Sequence, residues 1–156
     1  MPSDDQILRE QLVEFLDKGH AHIELFSAIK DFPKEHYGTK PEGAPHSAWQ
    51  LLEHIRIALN DILSFSTDSN YSAPKWPDDY WPKEAPPSAD EWKHSVQALH
   101  ADLEAFKKLI RNPESNLYSR IPWGDGQTLL REALLAIDHT SYHLGQLVML
   151  RKQLTA

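Results

Sequence analysis

The sequence predicts an all-α protein, a four-helix bundle in up-down-down-up order with a long crossover between the second and third helices, forming one domain over 1–156. Three observations predict it. The eleven prolines fall at Pro2, within 33–45, within 74–87, and at Pro113 and Pro122, leaving four proline-free segments each long enough for a helix. Within those segments apolar residues recur at steps of three and four, the helical period. The connection between the second and third segments is too long for a tight reversal, which favours one crossover and two short turns.

The first helix is expected over Ser3–Phe32, opened by a capping box of Ser3 and Gln6 and ended by Pro33. Its stripe is Leu8, Leu12, Phe15, Gly19, His22, Phe26 and Ile29. Gly19 and His22 interrupt its apolar character, which suggests a hollow with a polar lining. The second helix starts at a box of Ser47 and Gln50 and runs to about Phe65, with Leu51, Ala58, Ile62 and Phe65 inward. His54 falls in that stripe.

STDSNYSAPKWPDDYWPKEAPPS follows. Tyr71, Trp76, Tyr80 and Trp81 argue for an ordered segment packed on the bundle, because aromatic side chains bury well. The third helix opens at Ser88 and Glu91 and steps through Trp92, Val96, Leu99, Leu103, Phe106 and Ile110 without a polar break, so it reads as structural. Asn112-Pro113 stops it. A turn around Trp123 and Gly124-Asp125-Gly126 leads to the last helix, capped by Thr128 and running to about Leu154. Its inward face carries Leu129, Ala133, Ala136, His139, His143, Leu147 and Leu150.

Composition bounds the function. The chain has 40% hydrophobic and 25% charged residues and a formal net charge of −7. An acidic surface argues against nucleic-acid phosphate or an anionic membrane as partner. No apolar run could span a bilayer and MPSDDQ is no signal peptide, which fits a cytoplasmic protein. There is no cysteine, so any metal must be held by His, Asp or Glu.

His139 and His143, four residues apart on one helix, project their imidazoles one turn apart on one face and can grip one divalent ion. His54, at ~10 Å into the second helix, stands at a height compatible with them and is the candidate for a third ligand. Three imidazoles leave coordination positions open, and as borderline donors they suit Zn²⁺ or Ni²⁺. A structural site would be closed by a fourth protein ligand, for which His22 is the candidate. Asp61 and Glu132, each seven residues from a ligand on its own face, are the candidates for orienting the imidazoles. Against this stands the plain reading: a single His on a helix stripe is more often a hydrogen-bonded core residue than a ligand. His20, His36, His46, His94 and His100 read as surface or loop residues, and Glu132 and Gln146 as bundle-edge residues.

HSAWQLLEHIRIALNDIL, the PKWPDDYWP loop and LLREALLAIDHTSYHLGQLVMLRK together resemble the DinB-like family of small bacterial bundles. The combination of one His on the second helix with HxxxH on the last carries the resemblance, which covers nearly the whole chain. It implies an up-down-down-up bundle, often a homodimer, with a divalent metal on His54, His139 and His143. It further implies a small-molecule partner, since relatives include transferases and isomerases in which the metal activates a low-molecular-weight thiol such as bacillithiol or mycothiol. Two function classes follow: a metal-dependent thiol transferase or hydrolase, and a non-catalytic stress-response or interaction bundle with a structural or adventitious metal site.

Overall fold

The computed structural model describes residues 1–83 and 86–156, which form five α-helices and no strand: α1 (Asp4–Asp17), α2 (Leu25–Lys30), α3 (Ala48–Thr67), α4 (Ala89–Arg111) and α5 (Leu129–Leu154). Single 3₁₀ turns occupy Lys34–His36 and Asp78–Tyr80. The crossover expected between the second and third long helices includes residues 84 and 85, which lie outside the described residues. None of the described helices is long and apolar enough to cross a membrane.

The helix starts follow the capping chemistry. Ser3, Ser47 and Ser88 each accept a hydrogen bond from the backbone N–H three residues on, and the Gln6, Gln50 and Glu91 side chains reach back to the cap. Thr128 accepts from the Arg131 N–H in the same way. These bonds satisfy donors that the first turn of a helix leaves free.

One long first helix is not formed. α1 ends at Asp17, Lys18 turns extended, and His20 takes a φ of 25° before α2 begins at Leu25. Gly19 permits the break: a Cβ there would lie 2.2 Å from the His22 carbonyl oxygen, and the His22 N–H donates to the Gly19 carbonyl at 2.7 Å. The stripe through Gly19 and His22 is therefore interrupted. Phe15 is left exposed, beside a hollow lined by Gly19, His22, Ile137 and Ser141.

The core is continuous across the helices. Val13, Leu52, Ile55, Leu99, Phe106 and Leu147 are all but fully buried in it. α3 packs on α4 and α5, and α1 on α4 and α5. The connection after α2 is pinned by Tyr37, whose ring stacks on Trp92 at 3.6 Å and 3°.

Arg9 is one of the buried charged residues, and it caps the carboxyl end of α4. Its guanidinium donates to the Ile110, Asn112 and Ser115 carbonyls at 2.6, 3.0 and 2.7 Å and to Asp5 at 2.6 Å. Those carbonyls are at or beyond the last turn of α4, where helical acceptors lack partners. Arg9→Met should therefore cost about 1–2 kcal/mol, read by urea denaturation, because the apolar stem is kept while the bonds are lost. A variant as stable as the wild type would show that solvent satisfies those carbonyls unaided.

Candidate metal centre

α3 and α5 bring His54, His139 and His143 together. One ligating nitrogen from each lies within 4.8 Å of the other two. The His54 and His143 residues are buried and His139 is half-buried. His54 and His139 face each other Nε2 to Nε2 at 3.0 Å. A tetrahedral ion with bonds of ~2.0–2.1 Å would need ligand nitrogens about 3.3 Å apart, so small ring movements would fit the trio to one ion. An all-imidazole donor set matches a borderline divalent cation.

The outer nitrogens are held. His54 Nδ1 lies 2.8 Å from the Tyr80 carbonyl oxygen, and His143 Nδ1 lies 2.7 Å from Gln146 Oε1. Both partners are acceptors, so both Nδ1 atoms carry the proton, and in the neutral rings the Nε2 atoms present bare lone pairs. His139 Nε2 is then the donor to His54 Nε2. Fixing a ligand's outer nitrogen is what orients an imidazole toward a metal.

Burial pushes the His139 pKa from 6.5 down to about 4, with the neighbouring His143 and His54 adding to the shift. Burial also lowers His54 and His143, against the opposing bonds from Tyr80 and Gln146. The trio is thus kept neutral near pH 7, the form that ligates metal.

Aromatic rings wall the centre. Trp81 is stacked between two imidazoles, 3.8 Å and 3° from His54 and 3.7 Å and 12° from His46. Tyr142 meets His143 edge-on at 4.9 Å. His46 lies in the loop before α3 but is half-buried; its Nδ1 has no hydrogen-bond partner among the described residues, and burial, then His143 and Lys40, lowers its pKa.

The other sequence candidates fall differently. His22 is exposed, lies outside the cluster, and sets its Nδ1 2.9 Å from the Ile23 carbonyl. Asp61 bonds none of the three imidazoles directly; it accepts from Tyr71 and Tyr80. Glu132 is buried but accepts from Arg131 at 2.6 Å. Gln146, read as an edge residue, is the actual partner of His143. Its position, three residues after His143 on one helix, is the signal the sequence offers. Nothing in a sequence marks the carbonyl of Tyr80.

An all-helical protein with a buried three-histidine cluster between two long helices is the class that fold and site define. The chain belongs to the DinB superfamily, whose family model matches residues 20–147. No curated protein and no solved structure matches it.

Proposed function

We propose that this DinB-superfamily protein binds one divalent ion, zinc or nickel, on His54, His139 and His143, and uses it as a metal-dependent thiol transferase or hydrolase on a small-molecule substrate. The observation that carries the reading is a cluster of three protein nitrogens to which no fourth His, Asp or Glu is added among the described residues. Three ligands leave a position for a substrate atom, whereas structural sites are closed by four. An ion held there supplies Lewis acidity that polarises a substrate carbonyl or acidifies a thiol or water. The protein's own part is to hold three neutral imidazoles in one orientation and to cover them on one side with Trp81.

The helix order that accompanies this reading is up-down-down-up, with α1 and α2 together as the first member. Supporting contacts keep step between α3 and α4, Glu53 with Ser95 and Asn60 with Asp102, as parallel neighbours do. Trp123, just before α5, donates to the Phe65 carbonyl near the end of α3, as antiparallel neighbours do. A homodimer through the outer face of α5 is part of the proposal, since Leu134, Tyr142 and Met149 are exposed there. Light scattering should give twice the chain mass for the wild type and the single mass for Leu134→Lys/Met149→Lys.

Metal content decides the reading. Untagged protein purified without chelator should carry near one divalent ion per chain, and thiol transfer should appear with that ion and vanish with chelator. Wild-type protein that stays empty after titration with zinc, nickel and manganese would sink it. Chelation should lower the melting temperature only modestly, because the apolar core holds the helices without the ion. Collapse on chelation would point to a structural metal.

A further inference from the structure

We propose that Asp61 is a positioning residue of the histidine centre: through Tyr80 it holds His54 as the Nδ1–H tautomer, with the Nε2 lone pair turned toward the other two imidazoles. The use of this device rests on the metal reading above; its evidence is the geometry of the chain.

Asp61 lies on α3 two turns beyond His54. Its carboxylate accepts hydrogen bonds from the Tyr71 hydroxyl at 2.9 Å and the Tyr80 hydroxyl at 2.7 Å. Both tyrosines belong to the segment that leaves α3 after Thr67 and returns along it. One carboxylate thus ties the returning segment to the helix it has just left. At the point where it is tied, the Tyr80 backbone carbonyl meets His54 Nδ1 at 2.8 Å, and the next residue, Trp81, lies flat on the His54 ring. The turn that presents this carbonyl is closed within itself by Asp79, whose carboxylate accepts from the Lys75 N–H at 2.9 Å.

A carbonyl only accepts, so a His54 ring held against it must carry its proton on Nδ1. A neutral imidazole with a proton on Nδ1 has a bare Nε2. Released from the carbonyl, a neutral histidine populates both tautomers, and the Nε2–H form cannot ligate through that atom. Burial and the Asp61 charge push the pKa of both tyrosines up, so their hydroxyls remain donors. The Trp81 stack fixes the plane of the ring, and the carbonyl fixes its rotation within that plane.

The test compares wild type with Asp61→Ala, Tyr80→Phe and Tyr71→Phe. Long-range ¹H–¹⁵N spectra of the histidine rings, taken at pH 7.5 on metal-free protein, report the tautomer. His54 should be a single Nδ1–H species in the wild type and a mixture in Asp61→Ala and Tyr80→Phe, while Tyr71→Phe shifts it least. Zinc affinity, measured by competition with a chromophoric chelator, should fall about 3–10-fold in the same two variants, less than for loss of a direct partner of a ligand. Tyr80→Phe keeps the backbone carbonyl and the ring and loses only the hydroxyl, so it decides the matter if Asp61→Ala does not fold. A His54 that stays a single Nδ1–H species in folded Tyr80→Phe overturns the proposal, and so does an affinity unchanged beside a shifted tautomer. Wild type that binds no zinc at all defeats the metal reading instead, and the tautomer result then decides this one alone.

Discussion

His139→Ala should abolish tight metal binding, lowering affinity by about a hundredfold or more, and leave the helices intact. The change cuts the donor set from three nitrogens to two, and two imidazoles on separate helices make a weak chelate. The fold should survive because, among the described residues, the His139 ring contributes no hydrogen bond to the backbone: its Nε2 faces His54 Nε2. Alanine is also the better helix former at mid-α5. Burial, ahead of the neighbouring His143 and His54, is what disfavours a charged imidazole at this position, and alanine carries no such burden. Metal-free His139→Ala should therefore melt no lower than metal-free wild type. Titration calorimetry with zinc and nickel, beside a circular-dichroism melt, reads both halves. Retained tight binding would remove His139 from the site, and an unfolded variant would make it a core residue.

The parts of the fold that were legible in the sequence are those governed by local chemistry. Ser3, Ser47 and Ser88 announce three helix starts because a capping box needs only residues three apart. The α4 stripe could be read because Trp92, Leu99, Leu103, Phe106 and Ile110 all bury on one face. The break at Gly19 was not legible in the same way. Its apolar and polar steps keep helical register on both sides, and the decisive fact is a contact, Gly19 against the His22 carbonyl.

The site divides along the same line. His54, His139 and His143 could be found because each sits in an apolar helical stripe, where an imidazole is conspicuous. What orients them was hidden for two reasons. The partner of His54 is a main-chain carbonyl 26 residues away, which side-chain patterns cannot encode. Asp61 was picked out by its spacing from His54, yet spacing alone cannot tell a direct partner from one that acts through Tyr80. The stacking of His46 was not legible because it depends on Trp81 lying between it and His54, a packing that joins two loops to one helix.

Acidification should destabilise the metal-free protein between about pH 6.5 and 4, with His139 alone contributing about 2 kcal/mol after allowance for its partial contact with solvent. The folded state holds His139 at about 4 against an ordinary 6.5, so between those values the unfolded chain binds the proton more readily. Stability is therefore fully present above pH 6.5, falls as the pH drops through the window, and levels off below about 4. His54 and His143, also lowered, add to the loss in the same direction. Carboxylates with lowered pKa values act further down: Asp17, held low by Lys107, and Glu53, where Arg56 and Ser95 outweigh burial, lose their contribution only as the pH falls through their own depressed values. The histidine window is thus separable from ordinary acid unfolding. Urea denaturation at pH 7.5, 5.5 and 4.5 should show the drop in wild type and a smaller one in His139→Ala. Added zinc should steepen it, because the binding free energy that stabilises the folded state at neutral pH disappears as the imidazoles take up protons. Equal slopes in wild type and His139→Ala would mean that the imidazoles are not held neutral by their surroundings, and the electrostatic preparation of the site for a metal would be lost with them.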